Sequence, residues 1–243
     1  MQSTLISISK AAQKLGVSID TLRRWDAAER LKATRIGHGH RYYLQSDLEQ
    51  FLQDIDVIGR NWAEALLAYE PQAESYCMTR DVFQARLENF QSKLSKIIAI
   101  EKVSLITAVA GEIGNNSFDH NLGNWPDIPG IFFTYSLRSR KAVLADRGLG
   151  ILATLKRVRP QLSSAEEALK VAFTETISGR YPETRGNGLK FVRSIITKYP
   201  LLLYFQTGDA YLYLKEQDKN IQIQRSKVSI KGCFATIEFE NLL

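Results

Sequence analysis

Apolar positions in this chain fall first into helix-length periodic stretches and later into strand-length runs. Ala11, Ala12, Leu15, Val17, Leu22 and Trp25 mark one small core built by two short helices. Ser9 is read as the cap of the first, Lys10 to Leu15, which stops at Gly16. Ser18 is read as the cap of the second, Ile19 to about Ala28. Two extended pieces follow, Thr34–Ile36 and Arg41–Leu44, joined by Gly37-His38-Gly39-His40. Ser46 then caps a helix running to about Leu52, and residues from about Asp54 to Ala73 read as helical with a break at Pro71. From Thr79 to about Ile100 the apolar positions Val82, Phe83, Leu87, Phe90, Leu94, Ile97 and Ile98 line one side of a helix whose other side is charged. A further helix is expected over Glu101–Asn121. After Pro129 come strand-like runs at Gly130–Leu137 and Lys141–Ala145, a helix near Ala165–Thr174 and another from Lys190 to Ile196. Strands return at Leu201–Gln206, Ala210–Leu214, Ile221–Gln224 and Phe234–Phe239. This order predicts a mostly-α N-terminal piece and a C-terminal α/β two-layer sandwich, with helices on one face of a mixed sheet.

Composition narrows the class without deciding it. Of 243 residues, 44% are hydrophobic and 24% charged, as in soluble globular chains. The net charge of +6 and pI near 9.2 permit a nucleic-acid or anionic partner. Cys77 and Cys233 lie far apart and form no metal-type pair. No run approaches the roughly 18 apolar residues of a membrane span, so a cytoplasmic protein with no membrane partner is expected.

The N-terminal helices have the spacing of a helix-turn-helix. The second would present Thr21, Arg23 and Arg24 beside the core residues Leu22 and Trp25, a set suited to guanine edges and phosphates in the major groove. The hairpin would act as a wing, with His40, Arg41 and Tyr42 as polar donors to the backbone or minor groove. On Ile8-Ser9-Lys10-Ala11-Ala12-Gln13-Lys14-Leu15-Gly16-Val17-Ser18, Thr21-Leu22-Arg23-Arg24-Trp25, Arg35 and Gly39-His40-Arg41-Tyr42-Tyr43, the first fifty residues resemble the MerR and excisionase-like winged helix-turn-helix family. The resemblance implies DNA binding by Thr21, Arg23, Arg24, His40, Arg41 and Tyr42. One departure is Glu29-Arg30, where the family usually has glycine after the recognition helix.

Three motifs in the rest of the chain carry different chemistry. In Glu112-Ile113-Gly114-Asn115-Asn116-Ser117-Phe118-Asp119-His120, spacing by four puts Glu112, Asn116 and His120 on one helix face. Asn116 offers a neutral oxygen to Mg²⁺, Glu112 can orient or deprotonate a water, and His120 can touch phosphate or simply pack. Asp146-Arg147-Gly148-Leu149-Gly150 follows an apolar strand, so Asp146 can accept a bond from an adenine amino group, with Gly148 and Gly150 allowing close approach. Arg185-Gly186-Asn187-Gly188-Leu189 opens a helix and can present backbone amides to phosphates, and the residues before it, about Ile151 to Thr184, include the helix near Ala165–Thr174 and a loop fit to serve as a lid. In this order the motifs resemble the N, G1 and G2 boxes of the GHKL (Bergerat-fold) ATPases, nearest to the histidine-kinase and anti-sigma branch. The resemblance implies ATP and Mg²⁺ as cofactors. It implies Glu112 as general base and Asn116 as metal ligand. Asp146, Gly148, Gly150, Gly186 and Gly188 would contact nucleotide, with His120 and Arg185 near phosphate.

These readings give a winged helix-turn-helix over residues 1–53, linker helices over 54–78 and a GHKL domain over 79–243. The combination predicts a transcription regulator, expected as a homodimer, whose nucleotide state gates binding to DNA or to a partner. Two other readings stay open: an anti-sigma-like serine/threonine kinase acting on a partner protein, and a clamp ATPase.

Overall fold

The structure, a computed structural model, describes residues 4–15, 17–37, 39–176 and 188–240. It divides into two compact units, Met1–Ile58 and Gly59–Leu243.

In the first unit the order is β1 (Leu5–Ser7), α1 (Ile8–Leu15), α2 (Ile19–Ala27), β2 (Thr34–Ile36), β3 (His40–Leu44) and α3 (Gln45–Gln53). The strands form an antiparallel sheet in the order β1-β3-β2. Ala11, Ala12, Leu22, Trp25, Leu31, Tyr43, Leu48 and Phe51 close the core, with the Trp25 and Phe51 rings 5.1 Å apart. Ser18 caps α2 as expected, its hydroxyl accepting from the Thr21 amide at 3.0 Å. Ser9 and Ser46 do not cap, because each lies one residue inside its helix. Strand β1, absent from the sequence reading, explains both. It feeds directly into α1, and the first amide of α3, at Gln45, donates to Thr4 O at 2.9 Å, a main-chain acceptor in place of a side-chain cap. Gly16 and His38 lie outside the described residues.

The second unit includes the end of α4 (Ile55–Glu64), then β4 (Tyr76–Cys77), α5 (Arg80–Leu94), α6 (Ile100–Asn121), β5 (Ile131–Ser136) and β6 (Lys141–Asp146). It continues with α7 (Gly150–Lys156), α8 (Ala165–Thr174), α9 (Gly188–Lys198), β7 (Leu202–Lys215) and β8 (Ile223–Glu238). The helix expected to reach Ala73 ends at Glu64, and the one expected to reach Ile100 ends at Leu94, with the next starting at Ile100. The sheet order is β4-β5-β6-β8-β7, and every pairing is antiparallel, which corrects the expected mixed sheet. Short connections, residues 137–140 and 216–222, join β5 to β6 and β7 to β8, and such hairpins make their strands antiparallel neighbours. The four late strands are two long ones. Register shifts at Thr207/Gly208 and Gly208/Ala210 bend β7 without ending it.

Strand side chains alternate between faces. Ile131, Phe133, Ala142, Leu144, Phe205, Ala235 and Ile237 face the main core with α5, α6, α8 and α9. Their neighbours Phe132, Val143, Tyr204 and Phe234 face the other way, and there the last turns of α4 cover them. Trp62 stacks on Phe132 at 6.1 Å, and the Arg60 guanidinium lies 4.6 Å from the Tyr204 ring centre and 4.4 Å from that of Phe234. A Cβ on Gly59 would sit 2.7 Å from Val143 Cγ1. Helical cover on one face alone was expected; residues 59–64 add cover on the second.

The helix expected near Ala165–Thr174 is α8, and with α7 it closes a small core of Leu155, Leu162, Ala168 and Val171. Residues 177–187 lie outside the described residues. Among the described residues, no helix is long and apolar enough to cross a membrane.

Candidate functional site

The surface of α2 is set by its core contacts. Leu22 and Trp25 are buried, which leaves Arg23 and Arg24 exposed and Thr21 half-buried at the N-terminal end. Arg23 bonds Asp20 at 2.8 Å, and Arg24 reaches Thr21 Oγ1 at 3.3 Å. The wing is tied to this helix by Asp26. One carboxylate oxygen accepts from the Ala33 amide at 3.0 Å, and the other from Arg41 at 2.7 Å and Arg35 at 3.2 Å. The Ala33 amide and the Arg41 bond hold the Asp26 carboxyl below its ordinary range. Tyr43 O–H donates to Leu22 O at 3.3 Å as a second tie. Arg41, one of the expected DNA donors, is therefore engaged within the unit, while His40 is exposed and Tyr42 half-buried between Ser7 and Thr34 across the sheet. Asp26 was missed in the sequence. An acid on α2 followed by an arginine-bearing hairpin was the available signal.

In the second unit α6 and the β6 end meet. Buried Ile113 and Phe118 fix the rotation of α6, so that Glu112, Asn116, Ser117 and His120 come half-buried to one flank. A Cβ on Gly188, the first residue of α9, would overlap Glu112 Oε1 and lie 3.0 Å from Asn116 Nδ2. Glycine is thus what lets α9 approach these two side chains. Asp146, only 2% exposed, accepts from Ser117 Oγ at 2.8 Å, from the Gly148 amide at 2.8 Å and from the Cys233 amide. Burial pushes its carboxyl up to about 6, against these three bonds. Three donors use three of roughly four acceptor positions on a carboxylate. Asn121 completes the junction: its Nδ2 donates to Ser117 O, and its Oδ1 accepts from the Leu149 amide, both at 2.8 Å. A Cβ on Gly148 would overlap the Asn121 carboxamide, and one on Gly232 would overlap Asp146. Gly150 has φ +75° and packs against Thr207 Oγ1.

Glu112, Asn116, Asp146, Gly148 and Gly188, read from three separate motifs, therefore lie in one neighbourhood. His120 is one turn beyond Asn116, and Arg185 and Gly186 lie outside the described residues. Asn121, Thr207 and Gly232 were missed. Asn121 sits four residues after Ser117 and was detectable by that spacing, whereas the other two become neighbours only through the β7–β8 pairing. Among the described residues, no group of three or more His, Cys, Asp or Glu side chains is placed to hold a metal by itself.

Residues 7–43 match the model of the MerR family regulatory protein. The N-terminal unit thus carries a MerR-family helix-turn-helix, the kind of domain found in DNA-binding transcription regulators. No curated protein matches the chain.

Proposed function

We propose that this protein is a DNA-binding transcription regulator whose second unit binds ATP with Mg²⁺, the nucleotide gating its hold on DNA or on a partner protein. The observation that carries the nucleotide half is the meeting of Gly188 with Glu112 and Asn116 beside the Asp146 turn. The donor chemistry fits the group. The remaining acceptor position of Asp146 suits an adenine amino group, and the Asn116 carboxamide oxygen suits a Mg²⁺ ion that keeps phosphates and waters as its other ligands. The α9 N-terminus suits anionic oxygens. Bound ATP would supply a transferable phosphoryl group, and Glu112 is the carboxylate at hand to orient a water or a partner's hydroxyl.

The DNA half rests on Arg23 and Arg24, exposed on α2, and on the wing held by Asp26. In this reading the protein acts as a homodimer, each copy offering one recognition helix.

Calorimetry with Mg-ATP tests the nucleotide half. The wild type binds, Asn116→Ala weakens binding about tenfold or more, and Gly188→Ala abolishes it; a wild type that releases no binding heat removes the ATP reading. Fluorescence anisotropy with duplex DNA tests the other half. Arg23→Ala and Arg24→Ala each lower affinity, with about one unit less slope against log salt if the contact is to phosphate. Unchanged affinity in both variants removes α2 as the reading helix.

A further inference from the structure

Arg147 has no role in the nucleotide reading, yet it is the most completely enclosed charge in the described structure, with 0% of its surface exposed. Isolated burial of a guanidinium is strongly unfavourable, so its partners define what it is for. Nε and Nη2 donate to Asp127 Oδ2 at 3.1 and 2.8 Å. Nη1 donates to Trp62 O at 2.7 Å and reaches Ala63 O at 3.4 Å. Those two carbonyls belong to the last turn of α4, beyond the reach of the helix's own i+4 amides, and Trp62 O also accepts from the Ala65 amide at 3.4 Å. Asp127 is held in turn by Lys231 at 3.0 Å. Burial would raise its carboxyl, and the bonds from Arg147, Lys231 and the Ile128 amide outweigh that and hold it low. Trp62 is itself fixed by its ring on Phe132 and by its indole N–H donating to Tyr69 O at 2.8 Å.

Arg147 thus joins two places at once. Its backbone lies between Asp146 and Gly148, in the turn proposed to meet the adenine, and its side chain caps the end of α4. We infer that Arg147 is a positioning residue that carries the state of the Asp146 turn to the C-terminal end of α4. The inference rests on the proposed nucleotide reading. A ligand that takes the last acceptor position of Asp146 steadies residues 146–150, and with them the guanidinium that bonds Trp62 O and Ala63 O. No bond to Asp146 comes from the Arg147 side chain, so altering that side chain leaves the direct nucleotide contacts in place.

The test is hydrogen exchange of the amides from Gly59 to Tyr69, with and without saturating Mg-ATP, on the full chain. In the wild type, Mg-ATP slows exchange there about tenfold. In Arg147→Lys, which keeps the charge and loses the two-sided fork, ATP affinity by calorimetry stays within about threefold of wild type and the slowing is lost. A residue that only held the fold together would raise exchange in both states and leave the response to ATP intact. Should Arg147→Lys not fold, Asp127→Asn keeps an acceptor oxygen while removing the charge that holds the fork, and it is expected to weaken the response in the same way. A variant that binds ATP and responds as the wild type does overturns the inference alone, as does a wild type that binds ATP without any change at these amides. A wild type that binds no ATP overturns the proposed function, and the inference falls with it.

Discussion

Glu29 shows how one residue can carry strain for a turn. It has φ +56°, in the left-handed region, at the point where the chain leaves α2 for the wing. A side chain there costs on the order of 1 kcal/mol, which glycine avoids in part. Glu29→Gly is expected to stabilise the N-terminal unit by about 0.5 kcal/mol. The ion pair from Glu29 to Lys32 at 3.0 Å is exposed and offsets little of that gain. A thermal melt that moves down instead of up counts against this account. The buried Asp146 gives a pH signature of opposite sense to most carboxylates. Burial raises its carboxyl from 3.8 in the unfolded chain to about 6 in the folded one. Between those values the folded chain holds a proton that the unfolded chain has lost, so stability falls as pH rises through this window. The difference amounts to about 3 kcal/mol. Melts at about pH 5 and about pH 7.5 should show the wild type losing stability at the higher value, and Asp146→Asn losing this part of the slope; equal slopes in the two proteins dispose of the assignment. The residue types were legible from the start, since Glu112, Asn116 and Asp146 stood out by motif. The burial of Asp146 was not, because it depends on Gly232 and Cys233 arriving from a strand about ninety residues later.

At the scale of elements, α6 is the piece on which the second unit is assembled. Gly114 brings it so close to α5 that an added Cβ would lie 2.6 Å from Phe83 Cε1 and 2.8 Å from Cε2. The Phe83 ring is pinned in turn by Phe133, 5.3 Å away edge-on, so it has little room to yield. Gly114→Ala is therefore expected to destabilise the unit by about 1–3 kcal/mol despite the better helix propensity of alanine. Chemical denaturation measures this, and a stabilised variant would mean that the two helices can separate freely. The existence of α5 and α6 followed from periodicity, and their limits did not. Ile97 and Ile98 after Leu94 continue the helical pattern in sequence, while in the fold α5 ends at Leu94 and α6 starts at Ile100, both packing into the same core. The short strands β1 and β4 escaped notice because three and two residues carry no alternation to read. Each exists by pairing with a longer strand.

At the scale of the whole molecule, two units with separate cores should respond to substitution separately. Ser18→Ala removes the hydroxyl that caps α2 and is expected to lower the stability of the first unit by about 1 kcal/mol. In calorimetric scans that change should fall on one transition and leave the other in place, whereas a shift of both transitions together would show that the units unfold as one. The sequence by itself determined the helix-turn-helix, most of the long helices, the layered α/β character of the remainder and the residues of three candidate motifs. These depend on local spacing, capping and turn chemistry, which neighbours in the chain decide. Tertiary structure alone decided the antiparallel sheet, the cover of its second face by the end of α4, the anchoring of the wing by Asp26 and the enclosure of Arg147. Each of these joins groups far apart in sequence, and their energies come from burial and pairing that exist only once the chain has brought them together.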